Sequence, residues 1–111
     1  MDRVIAVDFD GPLCENKWPE IGAPRKHIID RLKAAKEQGA ALVLWTCREG
    51  ELLQQAVAAA ASWGITFDAV NDSLPSWKEH WRNNPRKIGA TEYWDDLAVQ
   101  IPAFGLLPGE A

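Results

Sequence analysis

Cysteine is scarce in this sequence: Cys14 and Cys47 are the only two. They form no metal-ligand spacing, and one disulfide would be a thin framework for a secreted domain of this size, so reduced thiols are expected. Histidine is equally sparse. His27 and His80 read as helix-surface residues, and neither is given a catalytic role. No apolar run approaches the about 20 residues that a membrane helix needs, which argues against a membrane partner. Blocks of Lys or Arg are missing as well, and the net charge is −4. That balance excludes an extended nucleic-acid surface but not the binding of a phosphorylated end at one local site. The opening MDRVIAVDFDG places acids at Asp2 and Asp8, which does not suit a secretory signal. A cytoplasmic protein is expected.

What is present is a chain of 111 residues, 47% of them hydrophobic, which suits a single globular domain over 1–111. Residues 3–9, RVIAVDF, read as a buried parallel strand, apolar on both faces until Asp8. A loop with Gly11, Pro12, Pro19, Gly22 and Pro24 follows. Pro24 then opens a helix to about Gln38 whose inner stripe is Ile28, Leu32 and Ala35, stopped by Gly39. Residues 41–46, ALVLWT, form a second buried strand. A helix of about 51–63 carries Leu53, Ala56, Val57 and Ala60 inward, and Gly64 ends it. Residues 65–70 read as a third strand, 75–84 as a short helix opened by Pro75, and 91–94 as a fourth strand ending at Asp95-Asp96. The tail is mostly loop. Strand–helix–strand alternation implies a parallel sheet with helices on both faces, the three-layer α/β/α Rossmann-like architecture. Ligands of such sheets bind at the carboxyl ends of the strands. Asp8, Thr46 and Asp95 all fall there.

Asp8-Phe9-Asp10-Gly11 sets two carboxylates two residues apart at a strand end, with Gly11 permitting a tight turn. A bare carboxylate repels an anionic phosphate ester, and a divalent cation relieves that repulsion. Hard Mg²⁺ takes a few carboxylate oxygens and several waters, which Asp8 with Asp95 or Asp96 would supply. The competing reading is that Asp8 and Asp10 only initiate a turn. Thr46 offers a hydroxyl to a phosphate oxygen; alone, it reads more simply as a strand residue. Lys87 offers a cation that neutralises charge on a phosphoryl group and holds Asp8 anionic; alone, it reads as a solvated surface lysine. Adjacent Asp95 and Asp96 are costly to hold together unless a cation or a helix N-terminus relieves them, so a helix cap at Asp96 competes with metal binding.

In this order, DFDGPL, LWTCR, Lys87 and YWDD resemble the four motifs of the haloacid dehalogenase superfamily of phosphohydrolases, over nearly the whole chain. WPEIG, FDAVN and RKIGATEYWDD resemble a subgroup of short members without a cap domain. The resemblance implies a Mg²⁺-dependent phosphatase. Asp8 would attack phosphorus and form an aspartyl-phosphate. Asp10 would protonate the leaving oxygen and then activate water. Thr46 and Lys87 would hold the phosphoryl oxygens, with Cys47 and Arg48 as further candidate substrate contacts; Arg48 reads equally as a surface charge. Asp8, the backbone carbonyl of Asp10, and Asp95 would bind Mg²⁺, with Asp96 acting through water or as a supporting partner.

One departure stands out. Where the family usually has Thr after the Gly, this chain has Pro12, which lacks both the hydroxyl and a backbone N–H. Two stretches have room for a cap, Cys14–Ala23 and Asp72–Arg86, and both are too short for an independent domain. The expected site is therefore open. It would admit a small phosphorylated molecule or an accessible phosphate on a larger one, or it would need a second copy, as a homo-oligomer, to exclude water. Of the six tryptophans, Trp45 and Trp94 are expected in the core, and Trp77 and Trp81 over a sheet edge. Trp18 is the candidate substrate-facing aromatic. Three other readings compete. A catalytically weak binding protein has Pro12 in its favour. A phospho-accepting receiver domain is disfavoured because Val70-Asn71 puts no Asp at the third strand tip. A dehalogenase would have no use for Asp10 and the Asp95-Asp96 pair.

Overall fold

The computed structural model describes residues 2–105, 107 and 109–110. Strand β1 (Val4–Val7) is buried along its whole length. The next segment, expected to be loop, is a hairpin: β2 (Cys14–Lys17) pairs antiparallel with β3 (Glu20–Pro24). Gly22 makes the pairing possible, because a Cβ there would sit 1.9 Å from the Glu15 carbonyl oxygen. Pro24 accordingly ends a strand instead of opening a helix. Helix α1 (Lys26–Glu37) buries Ile29, Leu32 and Ala35, while Ile28 is only partly covered. Gly39, at φ +100°, turns the chain into β4 (Ala41–Leu44). Helix α2 (Gly50–Ser62) buries Ala56 and Ala60, with Leu53 and Val57 packed beside them.

The third expected strand is shorter than its apolar pattern. Only β5 (Ala69–Val70) pairs. Before it, Asp68 donates its N–H to the Leu42 carbonyl and accepts the Leu42 N–H on its own carboxylate, at 2.7 and 2.8 Å. A side chain thus replaces the ladder there, and Ile65 is spent on the core. Helix α3 (Pro75–Trp81) stops early, because Arg82 adopts a left-handed conformation at φ +55°. Strand β6 (Glu92–Trp94) is last. No described helix is long and apolar enough to cross a membrane.

The four parallel strands run in the order β5-β4-β1-β6. Alternation along the strands sorts the core into two layers. Ile5, Val7, Leu42 and Leu44 pack with α1 and α2, whereas Val4, Ala6 and Val43 meet Leu74, Trp77 and Ile88 on the other face. This is a Rossmann-like α/β fold. The chain adds β4 and β5 on one side of β1 and then returns to add β6 on the other. The order reverses between β1 and β6, and that reversal opens a crevice past their carboxyl ends. Asp8 and Asp95 are the first residues beyond those two strands.

Candidate functional site

Asp8 is half-buried and its N–H donates to the Trp94 carbonyl at 3.1 Å, which extends the β1–β6 ladder by one step. Its Oδ1 accepts the Phe9 N–H at 2.7 Å. Burial is the main reason that the Asp8 carboxyl titrates above the usual carboxylate range. The Phe9 N–H opposes that shift, the negative charges of Asp95 and Asp10 add to it, and the Thr46 hydroxyl opposes it. Asp95, Asp10 and Thr46 are therefore all within electrostatic reach of Asp8.

The loop after Asp8 is held from several sides. Gly11 donates to the Cys14 carbonyl at 2.9 Å, and Leu13 to the Phe9 carbonyl at 3.1 Å. The Arg25 guanidinium donates to the Gly11 carbonyl at 2.9 Å. Pro12 is buried in this turn. Gly11 is required twice over. Its φ is +108°, and a Cβ on it would lie 2.4 Å from Asp96 Oδ1. The carboxylate of Asp96 thus rests against the Asp8–Gly11 loop and joins the first acidic pair to the second. Gly11→Ala should lose about 1–3 kcal/mol from backbone strain and displace Asp96. Thermal or denaturant unfolding measures the stability loss.

Asp95 and Asp96 are both exposed. Asp95 Oδ1 accepts the Leu97 N–H at 2.9 Å, which shapes a turn. No helix follows among the described residues, so the helix-cap alternative for Asp96 falls away. A cavity of about 280 Å³, lined by Pro12, Arg25, Ile28, Tyr93, Trp94, Asp95 and Asp96, lies beside the pair.

Thr46 lies two residues beyond β4. Its N–H donates to Asn71 Oδ1 at 2.8 Å, and its hydroxyl accepts the Arg48 N–H at 3.2 Å. Asn71 also donates from its side-chain amide to the Arg48 carbonyl at 3.3 Å, and sits at φ +50°. Asparagine tolerates that conformation. Asn71 therefore sets the Thr46–Arg48 turn from the neighbouring strand. The sequence reading missed it; Asn at a strand tip was its only signal. Cys47 is exposed on the same turn, and neither cysteine forms a disulfide.

Arg48 departs most from expectation. It is not a surface charge: its exposure is 0%. Its Nε donates to Asp10 Oδ2 at 2.8 Å and its Nη2 to Asp10 Oδ1 at 2.7 Å. Nη1 and Nη2 also donate to the carbonyls of Pro19 and Glu20, each at 3.1 Å. The guanidinium lies 5.1 Å from the Phe9 ring centre and 5.0 Å from that of Trp18. Trp18, half-exposed on the hairpin, covers Arg48.

Lys87 is exposed, with Nζ 5.3 Å from the centre of the Tyr93 ring. Tyr93 is in register with Ala6, so Lys87 lies on the sheet face of Ala6. Among the described residues it makes no ion pair with a carboxylate. Trp45 is 36% exposed and packs against Tyr93 with ring centres 5.4 Å apart, at the rim and outside the expected core. Trp94 is partly buried against the main core. Trp77 packs under Gly89, while Trp81 is exposed.

The edge thus joins Asp8, Asp10, Thr46, Asp95 and Asp96. Among the described residues no three His, Cys, Asp or Glu side chains stand as a ready metal cage. The donor chemistry fits a hard cation nonetheless. The negative charge of Asp95 adds to the cost of ionising Asp8, and the Asp10 carbonyl belongs to the same loop as Asp8. Mg²⁺ is commonly held by one or two carboxylates plus waters.

Structural comparison finds a solved protein of the same fold, described as a conserved protein coded by a locus of Bacteroides thetaiotaomicron. The two share 37% identity over 92% of this chain and 83% of that one, with a TM-score of 0.79. The chain belongs to the family of this conserved protein. Identity at that level over most of both chains means that the relative shares the sheet and its connections. No protein-family model matches the chain, and no curated protein matches it.

Proposed function

We propose that the chain is a Mg²⁺-dependent phosphomonoesterase of the haloacid dehalogenase type, without a cap domain. One observation carries the reading: Thr46 and Asp95, far in sequence from the Asp8–Asp10 pair, come within electrostatic reach of Asp8 beyond the carboxyl ends of β4, β6 and β1, beside the point where the strand order reverses. The stretches able to hold a cap contain the β2–β3 hairpin and α3, short elements that support the capless reading.

A carboxylate oxygen of Asp8 attacks phosphorus, and the bond from phosphorus to the leaving oxygen breaks. Asp10 gives a proton to that oxygen. It then takes a proton from the water that attacks the aspartyl-phosphate, which frees inorganic phosphate and restores the Asp8 carboxylate. The Thr46 hydroxyl and Lys87 hold phosphoryl oxygens. Lys87 stands exposed beside the Tyr93 ring, unpaired with any described carboxylate, and would have to turn from that ring to reach the phosphoryl group. Asp8, Asp95 and the Asp10 carbonyl would hold Mg²⁺, with Asp96 supporting. Bound there, the cation offsets the repulsion between Asp8 and an anionic ester.

The substrate is a phosphate ester, small or displayed on a larger molecule, and reduced Cys14 and Cys47 suit the cytoplasm. A second copy, in a homo-oligomer, would shield the open edge. Hydrolysis of an aryl phosphate should vanish with chelator and return with Mg²⁺; full activity in chelator would sink the metal assignment. The hold of Arg48 on both Asp10 oxygens favours a second reading, a phosphate-ester binding protein with slow turnover. A panel of phosphorylated metabolites, nucleotides and phosphorylated oligonucleotides separates the two by turnover against binding alone.

A further inference from the structure

Among the described residues no side chain makes more hydrogen bonds than Arg48, yet it faces no solvent. Its two contacts with Asp10 and two with the hairpin tip use Nε, Nη1 and Nη2 together. A buried guanidinium is costly unless its donors are matched, and four oxygens match them here. Three chain segments meet on this one group. The Asp10 loop follows β1, the Pro19–Glu20 tip joins β2 to β3, and the turn carrying Arg48 follows β4. The flanking Phe9 and Trp18 rings fix its plane.

We propose that Arg48 is a positioning residue that ties the orientation of Asp10 to the seating of the β2–β3 hairpin. Each Asp10 oxygen accepts one Arg48 donor here and keeps a further lone pair, so Arg48 sets the direction in which Asp10 presents those remaining sites to a leaving-group oxygen. Nη2 holds Asp10 Oδ1 through one N–H and the Glu20 carbonyl through the other, so a shift of Asp10 moves the guanidinium that seats the hairpin tip. Reorientation of Asp10 and loosening of the hairpin tip are therefore coupled. The consequence for catalysis rests on the phosphatase reading; the coupling of Asp10 to the hairpin does not.

Two arms test this separately. In the first, amide hydrogen exchange is followed across residues 14–24 without substrate. Arg48→Lys keeps the charge but loses the fork geometry. Hairpin exchange should quicken about tenfold or more while β1 and β4 stay protected. Asp10→Asn, which leaves Arg48 in place, should quicken the same amides, so the test survives if Arg48→Lys does not fold. Unchanged hairpin exchange in Asp10→Asn would overturn the coupling. In the second arm, Arg48→Lys should lower the single-turnover rate of leaving-group release about 10²-fold on an alkyl phosphate, less on an activated aryl phosphate, with the substrate dissociation constant nearly constant. Added to Asp10→Asn, it should cost less than about threefold more, because both act through one carboxylate. Losses that multiply, or that fall equally on both leaving groups, would refute a role through Asp10. A wild-type protein that hydrolyses no ester would defeat the phosphatase reading alone, with the exchange arm still deciding the coupling.

Discussion

Asp8→Asn should reduce turnover of any phosphate ester by roughly 10⁴–10⁶-fold, the scale seen when a nucleophile is removed from an otherwise intact site. The same change should make the protein more stable near neutral pH. The folded-state pKa of Asp8 is raised, chiefly by burial and further by Asp95 and Asp10. An acid with a raised pKa holds more protons folded than unfolded, so stability falls as pH rises from its ordinary value through the folded one. Its stabilising share is complete below the ordinary carboxylate range and gone above the folded pKa. Asn carries no charge at any pH and escapes that loss. In chelator at neutral pH, Asp8→Asn should melt higher than the wild type, and the advantage should shrink as the pH falls below the carboxylate range. Mg²⁺ should then raise the melting temperature of the wild type and not that of Asp8→Asn. A variant that melts lower at neutral pH would show that the Asp8 carboxylate is stabilised by its surroundings, against the direction argued here.

Asp10→Asn should cost about 10²–10⁴-fold, with a different pattern. The side-chain amide oxygen that replaces the carboxylate still accepts a hydrogen bond from Arg48, and the backbone carbonyl is untouched, so substrate and cation should still bind. An activated aryl phosphate needs little proton donation and should lose less in the first step than an alkyl phosphate. Single-turnover rates of leaving-group release, across leaving groups of graded basicity, read this first step apart from the slowed hydrolysis of the aspartyl-phosphate. The loss should steepen as the leaving group becomes more basic. A uniform loss would assign Asp10 to structure alone, which its bond to Arg48 makes the sharpest competing account.

The sheet and its carboxyl edge were legible because VIAV and ALVL are short apolar runs with polar residues directly after them or close behind. The pattern fixes where a buried strand stops, so Asp8, Thr46 and Asp95 could be placed on one rim. The hairpin was not legible. CENK alternates weakly and is mostly exposed, and Pro19, Gly22 and Pro24 read as loop punctuation. Its pairing depends on a glycine contact across strands, which no local pattern encodes. The strand at 65–70 was overread because Ile65 and Phe67 serve the core without pairing, while Asp68 mimics the ladder with its carboxylate. Arg48 could be named as a candidate substrate contact, but its burial was not legible: a charged residue past a strand end normally reads as solvated, and its partners, Asp10, 38 positions away, and the Pro19 and Glu20 carbonyls, leave no local signal. Pro12, a departure from the resembled motif, is buried in a turn also held by Arg25, whose contact with Gly11 had no sequence signal.

The central claim is that Asp8 takes the phosphoryl group. Rapid acid quench of Asp10→Asn with an activated, labelled phosphate ester and Mg²⁺, followed by intact mass spectrometry and peptide mapping, tests it most directly. One phosphoryl group should appear on the peptide bearing Asp8, because the step that removes it is slowed, and none should form in Asp8→Asn under the same conditions. A phosphoenzyme formed by Asp8→Asn, or a phosphoryl group mapped to another residue, would contradict the account.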